Sequence, residues 1–150
     1  MATPASDIYD LFMQRVSDYR LTTLFNTSES DFENFLEAWL IFAIGDFEDI
    51  CDQSLSFSNG SFSSDLTTRN KIILSHLMEK FWMKKNVNDI TQMNLHVGDR
   101  DFKVASEAQN LKAKQDYLTR ITEECSQVLQ DYAYNRVNWN SWLNQEFMGG

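Results

Sequence analysis

A chain of 150 residues with 43% apolar and 13% aromatic side chains can bury a sizeable core, which excludes a disordered polypeptide. One proline and five glycines suit long helices better than a turn-rich sandwich. The net charge of −9 is unevenly spread, with twelve acids and two bases in residues 1–65 against ten acids and eleven bases in residues 66–150. An acidic first part repels phosphate at short range and excludes sequence-specific DNA binding as the expected role.

Met1 to Ser6 carry neither a basic start nor an apolar run, so no secretory signal is expected. Cys51 and Cys125 stand far apart and outside any metal-ligand spacing, which points to two reduced structural thiols in a protein assembled in a cytoplasm. Residues 7–25 place Ile8, Leu11, Phe12, Val16, Tyr19 and Leu24 near helical spacing, with Ser6 or Asp7 as the cap. After the polar break Asn26-Thr27-Ser28, Ser30 and Glu33 form a capping-box pattern. It opens the helix FENFLEAWLIFAI, whose Phe32, Phe35, Leu36, Trp39, Leu40 and Ala43 mark it as the central core helix, ending around Gly45. That run is too short and too acidic to span a bilayer.

Asp46, Glu48, Asp49 and Asp52 read as a solvated acidic face, because the glycine and terminal glutamate of a calcium loop are missing. Residues 53–64, QSLSFSNGSFSS, form an exposed loop or a small hairpin about Asn59-Gly60. Its apolar anchors are Leu55, Phe57 and Phe62, and its aromatics await a partner. A third helix is predicted from Asp65 to Lys85. Leu66, Ile73, Leu77 and Phe81 form its stripe, and Leu74, Met78 and Trp82 broaden it.

Beyond Asn86, Met93, Leu95 and Val97 alternate with polar neighbours. A turn at Gly98–Asp101 into Phe102-Lys103-Val104 then suggests a hairpin. A long helix follows from a Ser106 cap to about Asn135. Leu111, Leu118, Cys125 and Tyr132 recur every seven residues, and Ile121 and Val128 supply a second seam. Such a helix is about 45 Å long, a pillar that one small core hardly covers. In the closing NWNSWLNQEFMGG, Trp139, Trp142, Leu143 and Phe147 fall on one face of a short amphipathic helix. Two readings stand for this tail: a docking plug for a partner, or a segment folded back on its own core.

The chain carries no motif for chemistry. His76 and His96 each have one carboxylate three residues on, Glu79 and Asp99, and no third ligand. No GxSxG, phosphate-cradling glycine loop or dinucleotide fingerprint is present. No catalytic residue, metal ligand or cofactor is therefore expected, which leaves the protein's surfaces as the place of function.

Residues 65–136, from DLTTRNKIILSHLMEKF to QVLQDYAYNR, resemble the head-to-tail connector (adaptor) proteins of tailed bacteriophages. The resemblance rests on a helix with a terminal aromatic, a polar span, the strand-like Asp101-Phe102-Lys103, and a serine-capped helix opening at Ser106, Ala108 and Leu111. Lys114 departs from the pattern, standing where such helices often carry another leucine.

The resemblance implies a mainly α subunit: a helical bundle with one long C-terminal helix, a small β-hairpin and an extended C-terminal tail. The connector domain spans residues 1–136 and the docking tail residues 137–150. It further implies a non-enzymatic virion protein of the neck, assembled in the host cytoplasm into a ring beneath the portal, typically of twelve copies. Its partners are then the portal protein, further copies of itself, a neck or tail-completion protein, and genome DNA passing through the lumen without sequence-specific binding. No membrane is involved. Trp139, Trp142, Leu143 and Phe147 become the portal or neighbour docking residues, and Leu55, Phe57 and Phe62 the loop contact with an adjacent ring or subunit. Two other classes stay open: an acidic helical protein that inhibits a host nuclease by mimicking DNA, and a helical enzyme.

Overall fold

A computed structural model describes residues 2–16, 26–96 and 101–136, and the side chains of all these except 90–96, 101–110 and 136. The chain is mainly helical, as its breaker-poor composition requires, and carries a three-stranded antiparallel sheet at one end. Strand β1 (Thr3–Pro4) leads directly into α1 (Ala5–Arg15). Helix α2 (Glu29–Phe47) follows, then the hairpin β2 (Phe57–Ser58) and β3 (Ser61–Phe62). The long helices α3 (Thr68–His96) and α4 (Asp101–Arg136) complete the order.

The hairpin turns on Asn59 and Gly60, both left-handed at φ 51° and 77°. Two consecutive positive φ values define the tight turn that matches strand twist, and Asn-Gly is the pair that best tolerates it. Strand order is β1-β3-β2, with Thr3 opposite Phe62 and Phe57 opposite Phe62 on the other side. Thr3 is buried, and its Oγ1 accepts the Leu66 amide proton at 2.8 Å. The Ala5 amide donates to the Gly60 carbonyl at 2.9 Å. Pairing through β1 thus starts α1 at Ala5 with Pro4 as its cap residue, ahead of the expected Ser6 or Asp7. Asp7 instead lies in the first turn and meets Lys71 of α3 at 3.3 Å.

Helix α1 buries Ala5, Ile8, Tyr9 and Phe12, one face at helical spacing. It is shorter than expected, because Val16 turns extended and remains buried in that conformation. Tyr19 and Leu24 lie outside the described residues. The cap of α2 is Ser28, whose Oγ accepts the Asp31 amide proton at 3.3 Å; Ser30 is already inside the helix. From there Phe32, Leu36, Trp39, Leu40, Ala43, Ile44 and Phe47 form an uninterrupted inward stripe. That stripe carries α2 two residues past Gly45, which has ordinary helical backbone.

The central element is α3, not α2. It packs against α1, α2 and α4, so its middle is buried around its circumference at Ile73, Leu74, Leu77, Met78 and Glu79. The expected broad apolar face exists, but the helix starts at Thr68 and continues to His96. Residues 86–96 contain neither glycine nor proline, so nothing in them stops the helix. The second hairpin expected over residues 93–104 is accordingly replaced by helix at 93–96 and again at 101–104, so Asp101-Phe102-Lys103 is the first turn of α4 and not a strand. Helix α4 runs antiparallel along α3 and is about 54 Å long from its 36 residues. Its heptad seam is buried at Cys125 and Tyr132 and half-buried at Leu111 and Leu118. Ile121 is buried and Val128 half-buried on the second seam. The tail, residues 137–150, lies outside the described residues.

Candidate functional site

Three clusters of side chains stand out, and two of them hold the fold together. At the sheet end, the Tyr132 hydroxyl donates to Asp52 Oδ1 at 2.5 Å and accepts the Asp52 amide proton at 3.0 Å. Asn70 Nδ2 reaches Asp52 Oδ1 at 3.0 Å and Gln53 Oε1 at 2.7 Å, while Arg69 lies over the Tyr132 ring at 4.9 Å. Burial, reinforced by the bond to Asp52, pushes the Tyr132 hydroxyl up to about 12. These contacts fasten the loop after α2 to the start of α3 and the end of α4.

Between α1, α3 and α4 lies a second polar cluster. The Glu79 carboxylate is 3% exposed, accepts the Tyr117 hydroxyl proton, and faces Arg15 Nη1 at 3.6 Å. One turn earlier, His76 Nε2 stands 3.5 Å from Glu124 Oε2, an ion-pair spacing too long for a well-formed hydrogen bond. Its partner is thus Glu124 across the helix pair, and not the nearby Glu79 of its own helix.

Cysteine, histidine and glutamate in one neighbourhood invite a nucleophile assignment. The geometry refuses it, since the Cys125 thiol points at the His76 backbone carbonyl at 3.6 Å and not at the imidazole. Burial favours the neutral form of the Cys125 thiol, the Tyr117 hydroxyl and the His76 imidazole. The Cys125 thiol rises to about 11, far from the thiolate a nucleophile needs. The Tyr117 hydroxyl rises to about 12 through burial and its bond to Glu79. His76 falls below its ordinary 6.5 through burial and the Arg15 charge. The arrangement satisfies a buried carboxylate and offers no open site. Both cysteines are free and buried, and among the described residues no three His, Cys, Asp or Glu side chains gather as metal ligands.

The third cluster faces outward. On the solvent side of α2, Ile41 is 54% and Phe42 55% exposed. Phe42 packs on Phe81 of α3 at 5.4 Å and on Trp39 at 6.3 Å, and Phe35 meets Trp39 edge-on at 5.8 Å. An aromatic ribbon therefore runs from α2 onto α3. Lys80 closes one edge, lying over Phe81 at 4.6 Å and pairing with Asp46 at 2.7 Å. Beneath the ribbon, Trp39 Nε1 is buried and has no acceptor among the described residues. Large exposed apolar groups in contact with one another are the usual mark of a docking surface. The inward stripe fills the core, and Ile41 and Phe42 are apolar side chains in surplus of it. That surplus was the readable signal in WLIFAI, where the apolar run is too broad for one helix face.

Of the anchors expected at a subunit contact, Leu55 and Phe62 are buried in the protein's own core, pinned there by the pairing of β3 with β1 and β2. They are not free to meet a partner. Phe57 is half-buried, 5.0 Å from the Phe62 ring. Trp139, Trp142, Leu143 and Phe147 lie outside the described residues. The acidic quartet is divided: Asp46 pairs with Lys80, Asp52 belongs to the Tyr132 network, and Glu48 and Asp49 are exposed. Among the described residues no helix is long and apolar enough to cross a membrane. No protein-family model, curated protein or solved structure matches the chain.

Proposed function

We propose that this protein is a non-enzymatic structural subunit of the neck of a tailed bacteriophage, forming a ring beneath the portal through which genome DNA passes. The observation that carries the reading is the pillar. The three-helix core covers α4 fully at Ile121, Cys125 and Tyr132, while Leu111 and Leu118 toward its other end stay half-exposed. An element longer than its own core can cover is suited to standing beside neighbours. The outward ribbon at Phe42 adds to that support, whereas the expected Ser106 cap falls inside α4, which begins at Asp101. The acidic surface suits a lumen that lets DNA pass without gripping it. A DNA mimic is less well supported, because Ile41 and Phe42 interrupt the acidic face where such a protein needs carboxylates.

The test is binding to portal-bearing capsids emptied of DNA, followed by imaging of the vertex. Ring density beneath the portal is the expected result. Protein that ignores the portal and instead binds a nuclease overturns the proposal. Truncation after Arg136 is expected to abolish attachment while leaving helicity intact, since Trp139, Trp142, Leu143 and Phe147 are its proposed anchors. Loss of helicity on truncation would assign the tail to the core.

A further inference from the structure

The ribbon on α2 has a distinctive electrostatic frame. Residues 21–68 contain nine acids and no lysine or arginine. Glu48 and Asp49 lie exposed just after Ile41 and Phe42, and on the α3 side the Lys80–Asp46 pair closes the edge. Two such faces cannot meet symmetrically, because like charges would be pressed together around a desolvated centre. The occupant must be apolar in the middle and basic at the rim.

The chain itself offers such a surface. Leu111 and Leu118 are half-buried on α4, and Lys114 falls between them on the same stripe, with Lys112 exposed beside it. His76 faces Glu124 and Glu79 faces Tyr117, so the antiparallel register brings the exposed Lys84 and Lys85 of α3, the latter paired with Asp89 at 3.3 Å, level with these lysines. We infer that the α2 face of one copy receives the lysine-rich α3–α4 arm of a second copy, a head-to-tail contact. Such a contact leaves one unused face at each end and propagates into a closed ring or an open filament. This inference rests on the ring proposal and names the surfaces through which it is built. Lys114, where a leucine would suit internal packing better, gains a role as the charge that meets the α2 acids.

Full-length protein is examined by sedimentation velocity from micromolar to millimolar concentration, at low and high salt. Self-association that weakens with salt is expected. Phe42→Asp should weaken it at least tenfold, and so should Lys84→Glu with Lys85→Glu. Both sites are exposed, so circular dichroism should be unchanged. Mixing the two variants supplies one intact interface, and the mixture should stop at a dimer. Carbodiimide coupling of isotope-labelled with unlabelled wild type should join Glu48 or Asp49 to lysines of the arm across chains. A protein that stays monomeric at millimolar concentration overturns the inference. So does association insensitive to the arm lysines, or association lost only when residues 137–150 are removed. Portal binding is read separately: ring density formed equally well by Phe42→Asp would sink this surface and leave the ring proposal standing.

Discussion

Glu79 illustrates how a single residue escapes a reading by motif. In ILSHLMEKF it is the carboxylate three residues after His76, yet the fold turns it inward to Tyr117 and Arg15. Its partners come from two other helices, so no local spacing announces them. Burying a carboxylate is tolerable only with such partners. The surrounding hydroxyl and thiol groups carry a pH consequence. Folded-state values of about 12 for Tyr117 and Tyr132, against an ordinary 10.0, and about 11 for Cys125, against 9.0, mean that the folded chain holds these protons more tightly than the unfolded one. The stabilisation they contribute is complete below pH 9 and is lost progressively as pH rises to 12. Urea midpoints should therefore fall across that window. Replacing Tyr117 and Tyr132 by phenylalanine should lower stability at neutral pH and flatten the alkaline loss; a slope unchanged in the double variant contradicts the assignment.

Single elements were legible where the side-chain period is unambiguous. The inward stripe of α2, the broad face of α3 and the heptad of α4 all follow from spacing alone. Boundaries were less legible, because they are decided by tertiary partners. Ser28 and Ser30 are equally good caps in isolation, and the stripe beginning at Phe32 selects Ser28. Ser28→Ala should cost about 1 kcal/mol, readable as a fall of roughly 2–4 °C in thermal midpoint, whereas Ser30→Ala should have almost no effect. Equal losses would show that the cap assignment is wrong. The alternation of Met93, Leu95 and Val97 imitated a strand, but a period of two over five residues is weak against continuous helix propagation from α3. Neither Ile41 nor Phe42 could be placed on a face by pattern, since α2 is apolar on both sides.

At the scale of the whole molecule, stability is graded along the pillar. Helix α4 meets the common core at Ile121, Cys125 and Tyr132, and only half-buries Leu111 and Leu118. Amide exchange should reflect that gradient. Protons of residues 121–132 should exchange only through global unfolding, and those around Leu111–Leu118 through smaller openings with weaker denaturant dependence. Uniform protection along α4 would mean that the arm is as firmly held as the core. The sequence made the helical class visible through composition, but not which helix is central. That depends on which faces find partners, and α3 wins because three elements need the same surface.

The pairing of β1 with β3 also sets an order of events. Residues 3 and 4 leave the ribosome well before residues 61 and 62, against which they form their ladder. Residue Leu66, whose amide Thr3 must receive, comes later still. Helix α1 likewise waits for the α3 surface that covers it. The part of the chain made first is therefore among the last to be placed. During synthesis its apolar face at Ile8 and Phe12 has no native cover, an interval in which a chaperone or an incorrect partner competes with the finished core.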